Sequence, residues 1–241
     1  MIEKYFKDFD RNMLKRTKAA AAAPLKKGDK KSGARAEIDI RMLKDALARI
    51  IPSQLAIDAA HPVDSAGFSP EGVDLVVYKR YCSDILKLMD GYIPCELICG
   101  LFHVIQNLNK DSLPDFLNTI ATAKKINNFV IGPEETQKGI IPSFGIVANM
   151  NYQFYELKND IINHYLSKNL EYQYEIDILV IFRKGLIVKN WREKRSFIAL
   201  ETNEDTNMWF YILMNEYLDL NNEAPIDFRK YVKKEIIYNE Y

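Results

Sequence analysis

The sequence predicts an α/β fold with a mixed central sheet flanked by helices, and three observations lead there. Segments that read as strands alternate with segments that read as helices from residue 34 onward. One strand candidate, "ELICGLFHVI" at 96–105, is apolar almost without interruption, as strands covered on both faces are. A chain of 241 residues with 48% hydrophobic residues holds enough apolar surface to cover a sheet on both sides.

The elements follow in order. Residues 2–18 carry Ile2, Tyr5, Phe6, Phe9 and Leu14 near helical spacing. In "KAAAAAPLKKGDKKSG" the alanines favour helix, but Pro24, Gly28 and Gly33 break it, so 19–33 reads as linker. Residues 34–50, "ARAEIDIRMLKDALARI", form an amphipathic helix with Ile40, Leu43 and Leu47 on its buried face, and Pro52 stops it. Strands are expected at 55–60 and 73–79, joined by "HPVDSAGFSPEG", which reads as a turn or a short hairpin end. After the apolar strand comes a helix at 111–126, with Asp111 or Ser112 as cap and Pro114 in its first turn, where a missing N–H costs nothing. A strand at 143–149, a helix at 152–168, strands at 175–182 and in "LIVKN", a short strand "SFIALE" and a helix at 205–219 complete the chain. Two units result: a basic helix and linker over 1–33, and an α/β domain over 34–241.

Formal net charge is zero, so charge alone does not draw the whole molecule to nucleic acid or membrane. The distribution is uneven. Residues 1–36 hold eleven Lys or Arg against four Asp or Glu, leaving 22 basic and 29 acidic groups for the rest. A basic arm is either a solvated tail or a strand of contacts for a phosphate backbone. Lys26, Lys27, Lys30, Lys31 and Arg35 are its candidate contacts. A second candidate is "FRKGLIVKNWREKR", where Lys189 and Arg192 flank Trp191, a residue able to stack on a base. The alternative for that stretch is a solvated hairpin with Trp191 packed beneath its lysines.

Three cysteines, Cys82, Cys95 and Cys99, make an odd number, and the polar N-terminus is no signal peptide. A reduced, cytoplasmic setting with buried free thiols is expected. No run of eighteen apolar residues occurs, so no membrane partner is expected. Neither a phosphate-binding P-loop nor a G-x-S-x-G nucleophile elbow is present.

Two polar side chains stand where burial makes them costly: Asp74, opening the strand "VDLVVYK", and His103, deep in the apolar strand. With Glu37 in the first core helix, they are the candidate site residues. A helix with Glu ("SGARAEIDIRML"), a strand with Asp ("HPVDSAGFSPEGVDLVVYK"), an apolar strand ("IPCELICGLFHVIQNLNKDSL") and then a helix resemble, in that order, the PD-(D/E)XK restriction-endonuclease-like superfamily. More closely, the chain resembles a bacterial domain family within that layout, over about residues 33–232. The resemblance implies a restriction-endonuclease-like core and a setting in bacterial defence or mobile elements. It also implies a site in which two carboxylates hold Mg²⁺ or Mn²⁺ while a lysine, two residues after the second acid, positions the attacking water.

At the decisive place the pattern departs. "FHVI" stands for the family's "IEVK", so His103 replaces the second carboxylate and Ile105 the lysine. His103 is then a core histidine bonded to Asp74 or Glu37, a ligand for a softer metal, or a catalytic group. The expectation is a catalytically inactive nuclease-like module that binds DNA, RNA or another protein and needs no cofactor. The alternatives are a metal-dependent nuclease with a rearranged site of Glu37, Asp74 and His103, in which Asp74 is the metal carboxylate, and a purely protein-binding module of the inhibitor type.

Overall fold

The computed structural model describes residues 4–6, 38–126, 140–190, 196–218 and 239–240. In chain order the elements are α1 (Ile40–Leu47), β1 (Leu55–Asp58), β2 (His61–Val63), β3 (Leu75–Lys79), α2 (Ile85–Leu88), β4 (Tyr92–Pro94), β5 (Ile98–Leu108), α3 (Leu113–Ala123), β6 (Ser143–Met150), α4 (Phe154–Ser167), β7 (Ile178–Ile181), β8 (Gly185–Lys189), β9 (Phe197–Glu201), α5 (Thr206–Leu218) and β10 (Asn239–Glu240). Residues 4–6 are helical; the rest of the expected 2–18 helix and the linker lie outside the described residues.

An eight-stranded sheet in the order β1-β3-β5-β6-β7-β8-β9-β10 runs through the molecule. β5–β6 and β6–β7 are parallel, each joined through a helix. The other ladders are antiparallel. This is the mixed sheet the alternating elements predict, and parallel neighbours at its centre explain the unbroken apolar run of β5. One core packs α1 and α5 on one face, where Phe102, Phe144 and Phe210 meet edge-on or tilted. A second packs α3 and α4 against Val147, Leu179 and Ile187 on the other. α5 is buried on alternate residues from Thr206 to Met214, consistent with its apolar character on most sides.

Three local features correct the expected outline. "HPVDSAGFSPEG" is not a simple turn: β2 pairs in parallel with β4 as a separate two-stranded sheet. Behind it the Asp64 carboxylate accepts the N–H groups of Ala66 and Phe68 at 3.0 and 2.9 Å, shaping the loop through a local side-chain bond. β5 starts at Ile98 rather than Glu96, because Cys95–Leu97 form a single 3-10 turn. The first core helix is shorter than its periodicity. Asp39 caps it by accepting from Arg41 and Met42 N–H, so regular helix begins at Ile40.

The hairpin from β7 to β8 turns through Arg183 at φ 59° and enters β8 at Gly185. A Cβ there would lie 2.0 Å from the Leu200 carbonyl oxygen, so only glycine lets β8 and β9 approach this closely. Cys95 and Cys99 are buried and Cys82 half-buried, all three as free thiols. Among the described residues no helix is long and apolar enough to cross a membrane.

Candidate active site

β5 outruns its neighbour. β3 begins at Leu75, registered with Phe102, while β5 continues to Leu108. The segment 72–74 covers the β5 edge just past that point, and three successive β5 residues hold it. The Asp74 N–H donates to the Phe102 carbonyl at 2.9 Å. Leu75 is registered with the same residue, so two residues of one strand face one of the other, as in a β-bulge. The His103 ring meets the Gly72 carbonyl through Nδ1 at 2.7 Å. The Val104 N–H donates to Asp74 Oδ2 at 2.6 Å.

Asp74 is half-buried, and burial raises its pKa above the usual carboxylate value, a rise the Val104 hydrogen bond opposes. Oδ1 carries no hydrogen bond among the described residues. The group is therefore an oriented carboxylate with one oxygen fixed and one able to accept a proton.

His103 is 1% exposed. A carbonyl only accepts, so Nδ1 carries the proton and the ring is the neutral Nδ1–H tautomer. Burial pushes its pKa down to about 4, against the smaller upward pull of the Gly72 carbonyl; Lys124 pushes the same way as burial. The expected bond from His103 to Asp74 or Glu37 is thus replaced by one to Gly72, and the imidazole shares no hydrogen bond with the Asp74 carboxylate. The linkage has a definite sign. The unfolded chain takes up this proton near pH 6.5 and the folded one only near 4, so stability present above 6.5 is lost as pH falls through that window. Replacing His103 with Asn should flatten that dependence by about 3 kcal/mol between pH 7 and 4, read from urea unfolding at both values.

Alternation along β5 decides which residues face α1. Phe102 and Val104 pack toward α1 and α5, whereas Ile105 packs toward α3 and α4. Val104 and Gln106 therefore stand on the α1 side of β5, and His103 and Ile105 on the other. Gln106 needs no bulge to reach α1. Its carboxamide accepts the Ile38 N–H at 2.7 Å and donates to the Ile38 carbonyl at 2.8 Å, clamping the entry to α1 as a strand neighbour would. Gln106→Ala is expected to cost about 1–3 kcal/mol, seen as a lower urea midpoint, because Ile38 is buried and loses both partners.

Glu37, one residue before Ile38 in the chain, lies outside the described residues, as do Lys26, Lys27, Lys30, Lys31, Arg35, Trp191 and Arg192. Lys189 is not a surface contact. It is 2% exposed, its ammonium lies 3.9 Å over the Tyr172 ring and bonds the Tyr172 carbonyl, and burial, followed by Lys124, pushes its pKa down to about 8. Within "FRKGLIVKNWREKR", Lys189 reads as part of an exposed basic hairpin only until Asp177, registered beside it, is placed: Lys189 N–H donates to the Asp177 carbonyl at 2.9 Å.

Asp177 anchors a buried polar network that sequence reasoning missed. It is fully buried; Oδ2 takes a hydrogen bond from Lys124 Nζ and another from Ser143 N–H at 2.8 Å. Oδ1 lies 4.0 Å from Lys189 Nζ, and Lys124 also donates to the Glu175 carbonyl at 2.8 Å. The available signal was an acid before the apolar run "ILVI", a place that demands a partner.

No protein-family model and no curated protein matches the sequence. Solved structures do match. NucC of E. coli MS115-1 in its apo form superposes with a TM-score of 0.66 at 16% identity, over 96% of this chain and 97% of that one. NucC of P. aeruginosa ATCC27853 in its cAAA-bound form gives 0.66 at 16%, over 96% of each chain. The cAAA-bound form of the E. coli protein gives 0.66 at 17%, again over 96% of each.

The fold is the NucC fold.

At this identity the likeness speaks for architecture, and it bears out the restriction-endonuclease-like core. It also corrects the expected function. NucC is a PD-(D/E)XK-like nuclease, so the full-length neighbours favour the nuclease alternative over an inactive scaffold. The expectation of no cofactor is likewise without support.

Proposed function

We propose that the chain is a nuclease that hydrolyses phosphodiester bonds of nucleic acid at the Asp74 edge of the sheet, under control of a cyclic oligonucleotide of the cAAA kind. The observation that carries this is the Asp74 carboxylate, held by Val104 in a chain that superposes on NucC over 96% of its length. A carboxylate whose pKa is raised by burial, with Oδ1 open, is suited to take a proton from an attacking water. The new P–O bond forms from that water as the leaving P–O bond breaks.

The described residues do not complete a divalent-cation site. They contain no group of three or more His, Cys, Asp or Glu that could hold a metal. Glu37 is proposed as the second acid. The 1–33 arm, with Lys26, Lys27, Lys30 and Lys31, is proposed as the part that engages phosphates, next to Arg35. Deleting residues 1–33 should weaken DNA binding and lower the slope of log K against log salt by about 0.9 for each contact removed, measured by salt titration.

The test is cleavage of supercoiled plasmid, linear DNA and RNA by the purified protein with Mg²⁺ or Mn²⁺, with and without cAAA. Cleavage that cAAA stimulates is expected. Intact substrates under every combination would contradict the proposal.

A further inference from the structure

Segment 72–74 carries Asp74 to its place, yet it precedes the regular ladder of β3. Gly72 has φ +74°, and a Cβ there would lie 2.3 Å from Thr119 Cγ2, so its backbone leaves the strand path at a point only glycine tolerates. It is exposed, and its carbonyl has no strand partner to hold it. The donor that meets it is the Nδ1–H of His103, projecting from the central strand. The next two anchors, Phe102 O for the Asp74 amide and Val104 N–H for its carboxylate, come from the residues on either side of His103. One histidine thus stands in for the missing ladder bond.

We propose that His103 is a positioning residue for Asp74: by holding the Gly72 carbonyl it sets the segment so that the Asp74 carboxylate meets the Val104 N–H. This rests on the nuclease reading only for its consequence in catalysis; the geometry stands by itself. Burial of the ring fits the role, since a neutral imidazole keeps one tautomer and one donor direction.

Three measurements test it. Nitrogen-15 spectra of the wild-type ring should show Nδ1 protonated and Nε2 bare at pH 7; a protonated Nε2 with a bare Nδ1 would overturn the proposal. His103→Leu should speed hydrogen exchange of the Val104 amide at least tenfold while the Leu179 and Ile187 amides keep their protection. His103→Asn, whose amide nitrogen occupies the Nδ1 position, should restore it. In cleavage assays His103→Leu should lower kcat tenfold or more at unchanged KM, with recovery in His103→Asn. Unchanged Val104 exchange in His103→Leu, or loss of protection spread evenly over the sheet, would overturn it. If His103→Leu does not fold, the ring spectra and the Asn variant decide. If the wild type cleaves nothing, the nuclease reading fails while exchange and spectra still judge the positioning role.

Discussion

Replacing Lys124 by Met is expected to destabilise the fold by about 3–5 kcal/mol, the range for removing one partner of a buried ion pair. Lys124 follows the last turn of α3 and its side chain is 1% exposed. Its ammonium donates to Asp177 Oδ2 and to the Glu175 carbonyl, joining α3 to the start of β7. Without it the fully buried Asp177 keeps the Ser143 N–H and a lysine at 4.0 Å, too little for a charge removed from water. At roughly 2–4 °C per kcal/mol for a chain of this size, Tm should fall by roughly 10 °C in a thermal melt. Pairing the change with Asp177→Leu should recover part of the loss, because the carboxylate that Lys124 compensates is then gone, while the buried Lys189 ammonium keeps the Tyr172 carbonyl and ring. A single variant within about 0.5 kcal/mol of wild type would show that the network adds nothing.

Asp74→Asn should remove catalysis while raising stability. The carboxamide oxygen still accepts the Val104 N–H, so the geometry survives and the charge does not. Asp74 has its pKa raised by burial, so the folded state binds this proton more tightly than the unfolded state. Stability therefore falls as pH rises from 3.8 through the raised value, and the penalty is complete above it. The Asn variant lacks that penalty, so its urea midpoint should exceed wild type at pH 8 and approach it at pH 3.5. Cleavage should drop by about 100-fold or more, the scale for loss of a positioned base. A residue that costs stability and carries activity is functional; one whose loss costs stability alone is structural.

The parts of the molecule written in local pattern were legible from the sequence. The apolar run of β5, the capped amphipathic α1 and the proline-started α3 all stand within a few residues of where periodicity puts them. Asp74 was legible too, as a carboxylate opening an apolar strand. What alternation could not show is which β5 residues flank it. A shift of one residue exchanges the two faces of a strand, and the irregular approach through Gly72 and Asp74 sets the His103 ring on the Gly72 carbonyl and the Asp74 carboxylate on the Val104 N–H. Lys189 was misread for a related reason. Its burial depends on Asp177 and Tyr172, 12 and 17 positions away, and no local charge pattern reports them.

The most direct test of the account is plasmid cleavage by wild type and Asp74→Asn side by side, with Mn²⁺ and cAAA present, both proteins shown to be folded by their urea transitions. The account predicts nicking and linearisation by wild type and none by the variant, which unfolds at the same or a higher urea concentration. Equal cleavage by both proteins would contradict it.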